Sequence, residues 1–111
     1  MIRYRIVLLP ELQNSCSRLP PSVKQKVRAS LRLLEIDPLA GKPLERELLG
    51  YQSYAIPPHR IIYRVESAGR IVRVFFVGHR RDVYEVFVQK INSGEVRERR
   101  ALYIRKEAVG R

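Results

Sequence analysis

The chain has 111 residues, with 22 Lys+Arg against 11 Asp+Glu, a formal net charge of +11 and 45% hydrophobic residues. That length suits one domain with one modest core, the apolar content argues against disorder, and no apolar run approaches the roughly 20 residues of a membrane span. One cysteine, Cys16, excludes an internal disulfide framework and an all-cysteine zinc site, and no signal-peptide pattern is visible, so the chain reads as a cytoplasmic domain without a membrane partner.

The basic residues are seventeen arginines and five lysines. Arginine presents a planar fork that grips phosphate bidentately, where lysine offers a point charge. Solubility alone asks for a charge magnitude of about 2–8. The excess here points to an anionic partner, whether nucleic acid, an anionic membrane or an acidic protein, and the C-terminal half carries the larger share of it.

Arg3 to Leu9 alternates, with Tyr4, Ile6 and Leu8 on one face, which predicts a strand. Pro10 opens a short helix, and Leu9, Leu12, Cys16 and Leu19 follow helical spacing, so Cys16 packs as a small hydrophobe. Pro20-Pro21 breaks the chain, and Ser22 with Gln25 fits a capping box. Val23, Val27, Ser30, Leu31 and Leu34 then form the apolar stripe of an amphipathic helix that stops at Asp37-Pro38. Lys24, Arg28 and Arg32 line another face, read as solvated. Residues 38–49 read as loop, Tyr51 to Ile56 as a strand, and Ile61, Tyr63 and Val65 as one face of the next. Glu66-Ser67-Ala68-Gly69 makes a hairpin turn, and the apolar run Ile71 to Val77 predicts a central strand covered on both faces and ended by Gly78. Asp82 to Ile91 carries a helical face in Val83, Phe87 and Ile91, while its Val, Tyr and Phe content also suits a strand; it reads as a short helix, with Asp82 either capping it or pairing with Arg81. Glu95 to Ala108 reads as a further, basic helix. The expected fold is α+β: a small antiparallel sheet of about four strands, an N-terminal helical hairpin on one face, and a C-terminal helix or tail. The domain spans 1–91, with 92–111 a basic helical extension.

Chemistry-bearing residues gather in His59-Arg60-Ile61-Ile62-Tyr63-Arg64 and Gly78-His79-Arg80-Arg81-Asp82-Val83-Tyr84. The hairpin between these strands brings the start of the first near the end of the second, so arginines, histidines and a tyrosine converge at one sheet edge. That composition suits a phosphodiester: Arg offsets developing charge, His moves a proton and Tyr holds substrate or stacks on a base. Arg60 and Arg64 have a plainer alternative, pairing with Glu66 or Glu47.

Four pieces in register, Asp37-Pro38-x-x-Gly41-Lys42-Pro43-Leu44, Leu49-Gly50-Tyr51, Arg60-Ile61-Ile62-Tyr63-Arg64-Val65 and Val77-Gly78-His79-Arg80-Arg81-Asp82-Val83-Tyr84, resemble the RelE/ParE toxin superfamily over residues 1 to about 90. The resemblance implies a RelE-like, microbial-ribonuclease-type fold and the toxin of a type II toxin–antitoxin module. RelE-type members are implied to be metal-free endoribonucleases, without cofactor, that cut messenger RNA on the ribosome to a 2′,3′-cyclic phosphate. They are held inactive by an acidic cognate antitoxin, with a heterotetramer as one arrangement. It implies Arg60, His79, Arg80 and Tyr84 as catalytic, and Arg64, Arg81 and Lys42 as phosphate contacts. The strand after Gly-Tyr, basic in RelE-type nucleases, is here the uncharged Gln52 to Ile56. Either Glu47, His59 or His79 serves as base, or the chain does not cut RNA. The ParE branch, which shares the fold and poisons DNA gyrase, and a non-catalytic binding module are the alternatives.

Overall fold

The computed structural model describes residues 2–96. The sheet is built from β1 (Arg5–Leu8), β2 (Lys42–Pro43), β3 (Gln52–Ile56), β4 (His59–Glu66) and β5 (Ile71–His79), in the order β1-β5-β4-β3-β2. Helices α1 (Pro10–Cys16) and α2 (Pro21–Ile36) follow β1, and α3 (Val83–Asn92) follows β5. The sheet therefore has five strands rather than about four, and it is not wholly antiparallel, because β1 pairs parallel with β5. The fifth strand lies inside the segment read as loop: Lys42 and Pro43 pair with Ser53 and Gln52, ahead of a 3₁₀ turn at Arg46–Leu48.

Lying between β1 and β4, and packed against α1 and α3, β5 explains its continuous apolar run. It extends past Gly78 to His79, because Gly78 pairs with Arg60 and His79 with His59. A Cβ on Gly78 would sit 2.8 Å from the Phe76 ring and 3.0 Å from Val83, so glycine lets α3 begin directly against the sheet. The β4–β5 ladder is irregular opposite Ile62 and Tyr63, which pair with Phe76 and Val74 and leave Phe75 as the extra residue. That bulge turns two successive phenylalanines toward α3: Phe75 lies 6.2 Å and Phe76 5.8 Å from the Phe87 ring, and Tyr51 packs edge-on against both Phe75 and Phe87.

The other face of the sheet carries the helical hairpin. The predicted α2 stripe is the buried one, through Val27, Ser30 and Leu34. The Ser22–Gln25 capping box does not form: Pro20 is the N-cap and Pro21 the first helical residue, so Ser22 already lies inside the helix. Asp82 likewise precedes α3 without a side-chain cap bond, and it makes no ion pair with Arg81. At the end of α2, the buried Tyr63 hydroxyl donates to the Pro38 carbonyl at 2.8 Å and accepts the Gly41 N–H at 2.9 Å. Burial pushes that phenol above its ordinary pKa. The loop after α2 is thereby fastened to the sheet centre, and Gly41 has no room for a Cβ beside the Tyr63 hydroxyl. The helix expected over Glu95 to Ala108 lies, from residue 97 onward, outside the described residues.

Candidate nucleic-acid interface

Alternation along β4 sends Arg60, Ile62 and Arg64 to the α3 side of the sheet, and His59, Ile61 and Tyr63 to the helical-hairpin side. On the α3 side the organising residue is Ser53, 1% exposed, a position that carries no charge or motif. Its hydroxyl oxygen accepts one bond from Arg60 Nη1 and another from the Tyr84 hydroxyl, each at 3.1 Å. Strand register supplies the first partner and the opening turn of α3 the second, so β3, β4 and α3 are joined through one oxygen atom. Lys42 lies directly opposite Ser53 in the β2–β3 ladder and is exposed. The Arg64 guanidinium lies 4.6 Å from the centre of the Tyr51 ring, a cation–π contact that holds it against the sheet beside Gly50.

Tyr84 also lines a groove of about 470 Å³ between the 3₁₀ turn and α3, with Leu44, Glu47, Leu48, Glu85 and Val88. Glu47, one of the three candidate bases, thus opens onto the same groove as Tyr84. The histidines lie elsewhere. His59 and His79 face each other across the ladder on the helical-hairpin side, with ring centroids 5.8 Å apart. Burial, His79 and Lys26 together hold His59 below its ordinary pKa. The single convergence expected from the sequence is therefore two clusters, one on each side of the sheet, with Arg60 and Tyr84 in one and both histidines in the other. Arg80 and Arg81 are exposed in the turn between them. The Arg80 N–H is anchored to the Pro58 carbonyl at 2.7 Å, and the Arg81 N–H to His79 Nδ1.

The described ion pairs are Arg3–Glu35, Arg73–Glu66 and Lys90–Glu95. Glu66 is taken by Arg73, its neighbour across the hairpin, and among the described residues neither Arg60 nor Arg64 pairs with a carboxylate. The same holds for Lys42, Arg80 and Arg81. Among the described residues no three His, Cys, Asp or Glu side chains come together to hold a metal ion.

A family model for the ParE toxin of type II toxin–antitoxin systems matches residues 10–84. The chain belongs to the RelE/ParE toxin family. Toxin RelG of Mycobacterium tuberculosis is 31% identical over 83 residues, covering 73% of this chain and 95% of that protein. Among solved structures, the M. tuberculosis RelBE2 toxin–antitoxin complex superposes with a TM-score of 0.66 at 29% identity, covering 70% of this chain and 99% of that one. A double Arg-to-Ala mutant of E. coli toxin RelE in the free state gives 0.64 at 20% identity, covering 81% and 99%, a likeness of fold. Homologues of this RelE/ParE toxin have thus been crystallised with their cognate antitoxins. No helix among its described residues is long and apolar enough to cross a membrane.

Proposed function

We propose that this type II toxin is a metal-free endoribonuclease that cleaves ribosome-bound messenger RNA. The observation that carries the reading is the Arg60–Ser53–Tyr84 arrangement, in which a buried hydroxyl holds a guanidinium and a phenol side by side on a face whose cations form no ion pair among the described residues. On this reading the RNA 2′-oxygen attacks the adjacent phosphorus, the bond to the 5′-oxygen breaks, and the products are a 2′,3′-cyclic phosphate and a 5′-hydroxyl. Arg60 and Arg80 offset the charge gathering on the phosphoryl oxygens, and Tyr84 orients the substrate. The placement of Glu47 on the Tyr84 groove favours it over His59 and His79 as the group accepting the 2′ proton. Lys42, Arg64 and Arg81 hold neighbouring phosphates.

The test is induced expression in a bacterial host, followed by primer extension on a translated message. Cuts that vanish with Arg60→Ala and with Tyr84→Phe support the reading, and growth arrest without cuts refutes it. The uncharged β3 favours one second reading, a ParE-like gyrase poison, in line with the ParE family match. Inhibition of supercoiling by purified toxin, unaffected by Tyr84→Phe, would establish it. Either toxin is proposed to be silenced by an acidic antitoxin segment. A groove of about 300 Å³ lined by Leu8, Leu12, Leu19, Val27 and Val74 offers that segment an apolar seat, with Lys24 and Arg28 on its margin.

A further inference from the structure

Three basic side chains from three elements meet at the helical-hairpin end of the sheet: Lys26 of α2, His59 of β4 and His79 of β5. Among the described residues, the groups acting electrostatically on His59 are the other two, and no carboxylate is among them. None of the described ion pairs reaches the cluster. His59 Nδ1 is buried without a hydrogen-bond partner. His79 Nδ1 accepts the Arg81 N–H, which leaves Nε2 as the donor nitrogen of the neutral ring. Lys26 Nζ donates to the Pro57 carbonyl at 3.4 Å. Exposed Arg80 and Arg81 follow immediately in the chain.

Like charges held together without a counter-charge disfavour their own ionised forms, and an anion placed among them reverses that effect. A divalent cation would meet the Lys26 ammonium and only two ring nitrogens, one of them already engaged. A phosphate oxygen has three donors available there: the His79 Nε2–H, the ammonium, and His59 once protonated. His59 and Arg60 are successive residues pointing to opposite sides of one strand, so a chain rounding the Pro58–Arg80 end of the hairpin passes both.

We propose that Lys26, His59 and His79 form a second phosphate site, which takes a phosphodiester of the RNA strand on the side of the sheet opposite Arg60. The identity of the ligand rests on the RNA reading; the site itself does not require cleavage. The test uses the full chain, histidine ring NMR, and a 2′-O-methyl oligoribonucleotide, which binds but cannot be cut, with inorganic phosphate in a parallel titration. The oligonucleotide is expected to raise the pKa of His59 and to shift the His79 ring signals. Lys26→Gln, at an exposed position, is expected to weaken binding and to lower the slope of log K against log salt by about 0.7, the value for one single-strand phosphate contact. An oligonucleotide that binds but leaves the His59 pKa and the His79 ring signals unmoved overturns the second site and leaves the nuclease reading standing. Histidines that respond to inorganic phosphate but not to the oligonucleotide overturn the phosphodiester assignment. Histidines that respond to the oligonucleotide in a chain that makes no cuts uphold the site and remove the nuclease reading.

Discussion

Replacing Ser53 with alanine deletes one oxygen atom and with it the acceptor shared by Arg60 and Tyr84. A neutral hydrogen bond contributes about 1 kcal/mol net, and one from a charged donor about 1.5–3 kcal/mol. Arg60 and Tyr84 are only half-buried, so water restores part of their solvation, and the expected cost is near the lower end, about 1.5–2 kcal/mol. For a domain of this size each kcal/mol lowers Tm by roughly 4–8 °C. Tyr84→Phe removes one of the same two bonds and should cost about 1 kcal/mol. Because Ser53→Ala has already broken that bond, the double variant should fall short of the sum by about 1 kcal/mol, read from urea denaturation of all four proteins at a common m value. On the proposed nuclease reading, cleavage adds an independent readout. Ser53→Ala leaves both functional groups present but untethered, and kcat should fall roughly 10–100-fold through misplacement. Stability changes that add within about 0.3 kcal/mol would refute the shared acceptor, and full activity in Ser53→Ala would refute its positioning role.

Tyr63→Phe leaves the Gly41 N–H and the Pro38 carbonyl without their buried partner, and should lower stability by about 2–3 kcal/mol in urea melts while cleavage by the folded fraction stays normal. Gly78→Ala drives a methyl into the Phe76 ring and Val83, an overpacking cost of about 1–3 kcal/mol that displaces α3 and so lowers both Tm and activity. His59 is held below its ordinary value of 6.5 in the folded chain, so the unfolded chain binds that proton more readily. Its contribution is therefore fully present above about pH 6.5 and is lost as pH falls below it; urea midpoints should drop on acidification, and His59→Gln should flatten the drop.

What was legible in the chain followed from strong local patterns. The apolar run of β5, the α2 stripe and the Asp37-Pro38 stop each appear where their pattern places them, because periodicity and proline sterics act within a few residues. The parallel partner of β1 was not legible. A period of two marks a strand but says nothing of its neighbour, and the connection between β1 and β5 is the rest of the sheet and two helices. Neither was β2, whose two residues are too short for any period and include Pro43. Arg60 and His59 were grouped as one edge although adjacent strand residues point to opposite faces; that signal was present, and it separates the histidines from Tyr84. Ser53 offered none, since its importance comes from meeting Arg60 across a ladder and Tyr84 from a helix thirty-one residues away.

The uncharged β3 then has a physical reason. A lysine at position 53 would bury an ammonium beside the Arg60 guanidinium, an arrangement whose desolvation and repulsion costs run to several kcal/mol. A serine oxygen there instead draws the guanidinium into place, and the positive charge of this face comes from Lys42, Arg64 and the Arg80–Arg81 turn. Division of labour follows. On the proposed nuclease reading, the guanidinium fixed at the sheet meets a phosphoryl oxygen while the exposed cations draw in the RNA strand. Arg60→Lys preserves the charge but supplies one nitrogen for two tasks, holding Ser53 and meeting phosphate. It should therefore lower kcat nearly as far as Arg60→Ala with little change in KM, whereas Lys42→Gln should raise KM, most visibly at high salt, and leave kcat alone. Equal kcat for Arg60→Lys and the unaltered chain would show that charge alone is required there and that the fork held by Ser53 plays no part.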